Sequence, residues 1–170
     1  MYTWLIVRVL HVLFGGLWVG AAFLATFYVM PSIVETGPDG GKVMLALLRR
    51  KLPVFMAAVP GLTVVTGIYL YWRFTDGFDP GISQSRGGLV FGTGGVLGLI
   101  ALILAGSVVG KNLKRAGALF EQASGTADAS ARAKLLTEAG DVRGKAAGAA
   151  RIVTVMVIIT IMLMALGHYV

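Results

Sequence analysis

Four long apolar stretches dominate this chain, at about Trp4 to Met30, Val54 to Tyr71, Leu89 to Gly110 and Ile152 to Tyr169. Crossing a hydrocarbon layer takes roughly 20 apolar residues at about 1.5 Å of rise each, and every stretch is near or above that length. The pattern predicts an all-α integral membrane protein, a four-transmembrane-helix bundle with both termini on one side. Composition supports it: 56% of the 170 residues are hydrophobic and 14% charged. With a mean hydropathy of +0.81, there is too little polar surface to cover a water-soluble globule. The first stretch is too long for the apolar core of a secretory signal and runs into Pro31 without a clear cleavage site. It is expected to stay as a helix.

A net charge of +7 would suggest nucleic acid in a soluble protein, but here the placement of the basic residues explains it. Lys42, Arg49, Arg50 and Lys51 follow helix one; Lys111, Lys114, Arg115, Arg132, Lys134, Arg143, Lys145 and Arg151 lie between helices three and four. Only Arg8, Arg73 and Arg86 fall on the other side. By the positive-inside rule both basic connections are cytoplasmic and both termini face outward, in a bacterial-type inner membrane. No nucleic-acid partner is expected. The chain has no cysteine, which excludes disulfides and thiolate metal sites.

The connections carry their own signals. After Pro31, "ETGPDGG" reads as a turn, and "KVMLALLRRKL" alternates Val43, Leu45 to Leu48 and Leu52 with basic residues, as an interfacial helix does. Residues 111–151 are rich in Ala, Lys, Arg and Glu, lack proline and break once at "SGTADAS". They predict a cytoplasmic helical hairpin: helix three continues to about Ala123, and a helix from about Ala129 feeds into helix four. Leu113, Ala116 and Phe120 are expected to pack on Leu135, Leu136 and Val142. The hairpin serves equally as a partner-docking surface or a solvated extension. The outer "FTDGFDPGISQSRGG" is too short and turn-rich for a domain, with Asp76 and Asp79 beside Arg73 and Arg86 as a minor cation-site candidate.

Within the spans, Gly16 and Gly20, Gly94 and Gly98, and Gly106 and Gly110 repeat a four-residue spacing that lets helix backbones approach. Pro60 should kink helix two and free a carbonyl, with Thr63 and Thr66 as nearby hydrogen-bond partners. Two histidines remain. His11 lies about 10 Å along helix one from Trp4, in the outer third of the hydrocarbon, and His168 is near the outer end of helix four. Their depths differ by about 6 to 10 Å, which helix tilt absorbs in part. Met164, one turn deeper than His168, matches His11 better. The arrangement predicts a b-type haem, or a copper ion, near the outer face, with His11 as one ligand and His168 or Met164 as the other. A buried imidazole donating to a carbonyl or hydroxyl accounts for His11 equally well, and the methionines alone are ordinary packing residues. In that case no cofactor is bound.

"RVLHVLFGGLWVGAAFL", with Arg8, His11, Trp18 and Gly20, "GLTVVTGIYLYWR" and the closing "LMALGHYV" together resemble the small membrane proteins of the copper-resistance protein D family. The HemJ-type protoporphyrinogen oxidases open similarly. The resemblance implies four helices with a charged hairpin between the third and fourth, and haem or copper contact at His11. It also implies that His168 stands where members often carry an interfacial basic anchor before the tyrosine matching Tyr169. The oxidases have a functional lysine in the membrane region; helices two and three contain none here, which argues against protoporphyrinogen oxidation.

Three function classes stay open. One is haem binding in a redox role, for which Trp4, Tyr69, Tyr71 and Trp72 offer a porphyrin or quinone rest, although an interfacial belt explains them as well. Another is a non-catalytic accessory subunit of a larger respiratory or photosynthetic membrane complex, or a homo-oligomer, which needs no site. The third is copper handling through His11, His168 and Met164. An enzyme acting alone is not indicated. There is no nucleophile with a base at helical spacing and no pair of membrane-embedded carboxylates, and "GTGGVLG" lies in an apolar span rather than after a strand.

Overall fold

The computed structural model describes residues 2–36 and 40–170. Among these there is no strand, and four helices are long and apolar enough to cross a membrane: Tyr2–Glu35, Leu52–Phe74, Arg86–Gly125 and Ala129–Leu166. The protein is a multi-pass, all-α membrane protein. In chain order the elements are α1 (Tyr2–Leu24), a π-helical turn (Ala25–Val29), α2 (Met30–Glu35), α3 (Gly40–Arg49) and α4 (Leu52–Phe74). They continue with α5 (Pro80–Ser83), α6 (Arg86–Leu104), a second π-helical turn (Ala105–Gly110), α7 (Lys111–Gly125) and α8 (Ala129–Leu166).

Helix one does not stop at Met30. The Met30 N–H reaches back five residues to the Ala25 carbonyl, widening the turn just before Pro31. In a regular helix the proline ring would meet the carbonyl four residues back; the wider turn relieves that clash, and the helix runs on to Glu35. The turn expected in "ETGPDGG" falls in part on residues 37–39, outside the described residues. An amphipathic α3 does follow, and α8 is continuous from Ala129, as the hairpin sequence predicts.

The chain forms two compact units, Met1–Leu102 with Thr154–Val170, and Ile103–Val153. In the first, α1 and α4 pair most extensively. The stripe His11, Gly15, Trp18, Ala22 repeats every three to four residues, with Trp18 and Ala22 buried; Val59, Pro60 and Thr63 are the buried residues of α4. The segment of α8 in this unit closes on α1 at both ends. Thr26 and Thr154 hydroxyls meet at 3.0 Å at one end, and Arg8 meets His168 at the other. Gly94 and Gly98 of α6 are buried against Met164, Leu163 and Thr160 of α8, so one small-residue pair is used within the chain.

The second unit contains the hairpin. Ala116 and Leu119 of α7 pack on Ala139 and Val142 of α8, with Leu135 beside them. Leu113, Phe120 and Leu136, expected in this seam, are 41%, 39% and 40% exposed instead. Ala116, Leu119 and Ala123 fall on one helical face, while Leu113 and Phe120 lie about 80° from its centre. The alanines set the seam because they let the helices approach. Asp128 accepts the Ser130 N–H at the start of α8, and Arg115 pairs with Glu138 at 2.7 Å.

Candidate functional site around His11

His11 is carried by α1 onto the face of α4. Its Nδ1 lies 3.0 Å from the Thr63 carbonyl oxygen and 3.1 Å from Thr66 Oγ1. A backbone carbonyl only accepts, so Nδ1 carries the proton and donates. The Thr66 hydroxyl donates in turn to the carbonyls of Leu62 and Thr63, at 2.7 and 3.0 Å, leaving its oxygen to receive the imidazole N–H. The ring rests on Gly67: a Cβ there would lie 2.9 Å from His11 Cε1. Position and tautomer are fixed together.

The threonines differ from their expected use. Pro60 lacks the N–H that Met56 would receive, yet Thr63 Oγ1 donates to the Val59 carbonyl at 2.9 Å and Thr66 to Leu62 and Thr63. Both serve the His11 contact, and Thr63 is buried. Nothing in the sequence of either helix alone joins position 11 to positions 63 and 66; the helix pairing does.

The other two candidate ligands sit elsewhere. His168 is exposed, and its Nε2 lies 2.8 Å from Arg8 Nη2, accepting from the guanidinium. Its ring meets Phe91 edge-on, with centroids 5.2 Å apart. Arg8 also stacks over Trp4 at 5.3 Å. Gly167 makes this corner possible, since a Cβ there would stand 2.6 Å from Phe91 Cε1. His168 thus meets the guanidinium of Arg8 where that group lies over Trp4, seven residues before His11 on α1. Met164 is turned to α6, where its Cε lies 3.0 Å from the place of a Gly94 Cβ. No hydrogen bond or ring contact joins His11, His168 and Met164.

A haem iron takes one or two protein donors, and the His11 imidazole would offer one. With Nδ1–H held by a carbonyl, the neutral ring has its lone pair on Nε2, which has no hydrogen-bond partner among the described residues. This is the orientation that ligating histidines adopt, one ring nitrogen on a backbone acceptor and the other on the metal. Copper requires several converging donors, and among the described residues no three His, Cys, Asp or Glu side chains gather to hold an ion. Of the two acidic residues between α4 and α6, Asp79 caps α5, its Oδ1 accepting the Ile82 N–H at 3.1 Å.

Two contributors escaped sequence reasoning. Phe91 supports His168, and Thr160 Oγ1, buried between α8 and Gly98, has no hydrogen-bond partner among the described residues. Compared with protein-family models, with curated proteins and with solved structures, the chain matches none.

Proposed function

We propose that this protein binds haem b through His11 in a bacterial-type inner membrane, with both termini outside and the hairpin in the cytoplasm. The observation that carries the reading is the Nδ1–H contact of His11 with the Thr63 carbonyl, which leaves Nε2 as a neutral, oriented donor. His11 would hold the iron, Thr63 and Thr66 would orient the ring, and Gly67 would keep it seated. Bound haem supplies one-electron chemistry. His168 and Met164 would not hold the iron in this reading, because Arg8 occupies His168 Nε2 and Met164 packs on α6. Copper handling has the least support.

A second reading, an accessory subunit of a larger membrane assembly, has one observation of its own. A Cβ at Gly16 or at Gly20 would meet nothing within 4 Å, so this small-residue pair is open to a helix from another chain. Pyridine haemochrome quantitation on the detergent-purified protein separates the two. The haem reading expects stoichiometric haem that is lost in His11→Ala; folded wild-type protein from haem-replete cells with no haem, and with copurifying membrane subunits, establishes the accessory role.

A further inference from the structure

Between helix one and helix two the chain makes a corner that neither reading of function uses. α3 begins hard against α2: a Cβ at Gly40 would run into the Ile33 carbonyl. It ends at Arg49, and after Arg50 the backbone turns at Lys51 with φ 57°, a left-handed conformation that is uncommon for a residue with a side chain. The Lys51 carbonyl then accepts the N–H groups of Val54 and Phe55, at 3.0 and 3.1 Å, starting α4. α3 is thus held at both ends, and its faces have fixed directions.

Those faces differ in chemistry. Lys42, Ala46, Arg49 and Arg50 recur at i, i+4, i+7 and i+8, and together they line a cleft of about 370 Å³. The small Ala46 leaves space between the cations. Arg49 and Arg50 have no ion-pair partner among the described residues. Beside that stripe, Val43 closes a second cleft of about 320 Å³ against Tyr28, Val29, Ser32, Ile33 and Thr36, at the end of helix one that includes the π-helical turn. Its wall is mainly apolar, since the Thr36 hydroxyl is turned back onto the Ser32 and Ile33 carbonyls, at 3.1 Å to each.

A cleft ringed by cations, next to an apolar slot on the same short helix, matches one kind of molecule. We infer that α3 and the adjoining end of helix one bind an anionic phospholipid, its phosphate at Arg49 and Arg50 and an acyl chain along Tyr28, Ile33 and Val43. Phosphate monoesters and free phosphate share the headgroup chemistry but have nothing to place in the apolar slot. Two arginines at a membrane surface give about a tenfold preference or more for an anionic over a zwitterionic headgroup.

The test is native mass spectrometry of the detergent-solubilised full chain with equal amounts of dioleoyl phosphatidylglycerol and dioleoyl phosphatidylcholine. Phosphatidylglycerol should bind about tenfold better, and Arg49→Gln with Arg50→Gln should abolish the preference. Arg132→Gln with Arg143→Gln, on the hairpin, should leave it intact. Both double variants change exposed residues, and a size-exclusion profile matching wild type checks their fold. Competition with millimolar inorganic phosphate, and with dihexanoyl phosphatidylglycerol, should displace little of the long-chain lipid. Equal binding of the two lipids, an unchanged preference in the Arg49 and Arg50 variant, or full displacement by inorganic phosphate each overturns the inference.

Discussion

His11 on α1 and Thr63 on α4, fifty-two residues apart, are joined by a 3.0 Å hydrogen bond from the imidazole Nδ1 to the backbone carbonyl. The contact does two things. It adds a polar tie to an otherwise apolar helix pair, worth about 1 kcal/mol or less within a bilayer, and it decides which ring nitrogen is left to act as a donor.

Gly67 should be far less tolerant than Gly16. Gly67→Ala places a methyl 2.9 Å from His11 Cε1, so the ring must leave its seat; overpacking of this kind costs about 1 to 3 kcal/mol. Gly16→Ala meets nothing within 4 Å and should leave the isolated chain unchanged or slightly more stable. Thermal unfolding in detergent measures both, and equal effects would mean that His11 does not sit on Gly67.

Arg8 and His168 should be coupled. Each tethers the other across 2.8 Å, joining the start of α1 to the end of α8. A double-mutant cycle with Arg8→Gln and His168→Phe, the second keeping an aromatic ring against Phe91, should give an interaction energy of about 0.5 to 1.5 kcal/mol. Additive effects would remove this tether from the fold.

The hairpin register can be checked by two leucines. Leu119 is 9% exposed and Leu113 41%, so Leu119→Ala should destabilise the hairpin by about 2 kcal/mol or more and Leu113→Ala by well under half of that. Hydrogen exchange of α7 amides reports it. Glu138→Gln should matter little, because its ion pair with Arg115 is exposed on both sides.

These same residues show what a sequence discloses. The four spans, the amphipathic α3 and the break between α7 and α8 follow from hydropathy and turn chemistry, which are local. Ala116, Leu135 and Val142 were legible in the hairpin seam, whereas Leu113, Phe120 and Leu136 were misjudged because hydrophobic size outweighed the alanine stripe. The extension of helix one past Pro31 depends on a π turn that composition does not announce. His11 stood out as a polar group in an apolar helix, but its partners depend on how α1 and α4 are rotated, as does the turning of Met164 toward Gly94. Helix rotation is a tertiary property, and one sequence gives it weakly.

Orientation has a direct test because the chain contains no cysteine. Ser130→Cys, on the hairpin, should react with an impermeant maleimide only after the cytoplasmic face is opened. Gln84→Cys, between α5 and α6, should react in intact spheroplasts. The reverse pattern would invert the proposed topology.

The central claim, that His11 Nε2 holds haem iron, is tested most directly by ligand rescue. His11→Gly removes the imidazole and leaves its seat at Thr63, Thr66 and Gly67 in place. Haem absorbance, read in the oxidised and dithionite-reduced protein, should disappear in this variant and return when free imidazole is added, while His168→Ala and Met164→Ala keep wild-type haem. Haem retained by His11→Gly without imidazole, or absent from folded wild-type protein made in haem-replete cells, would contradict it.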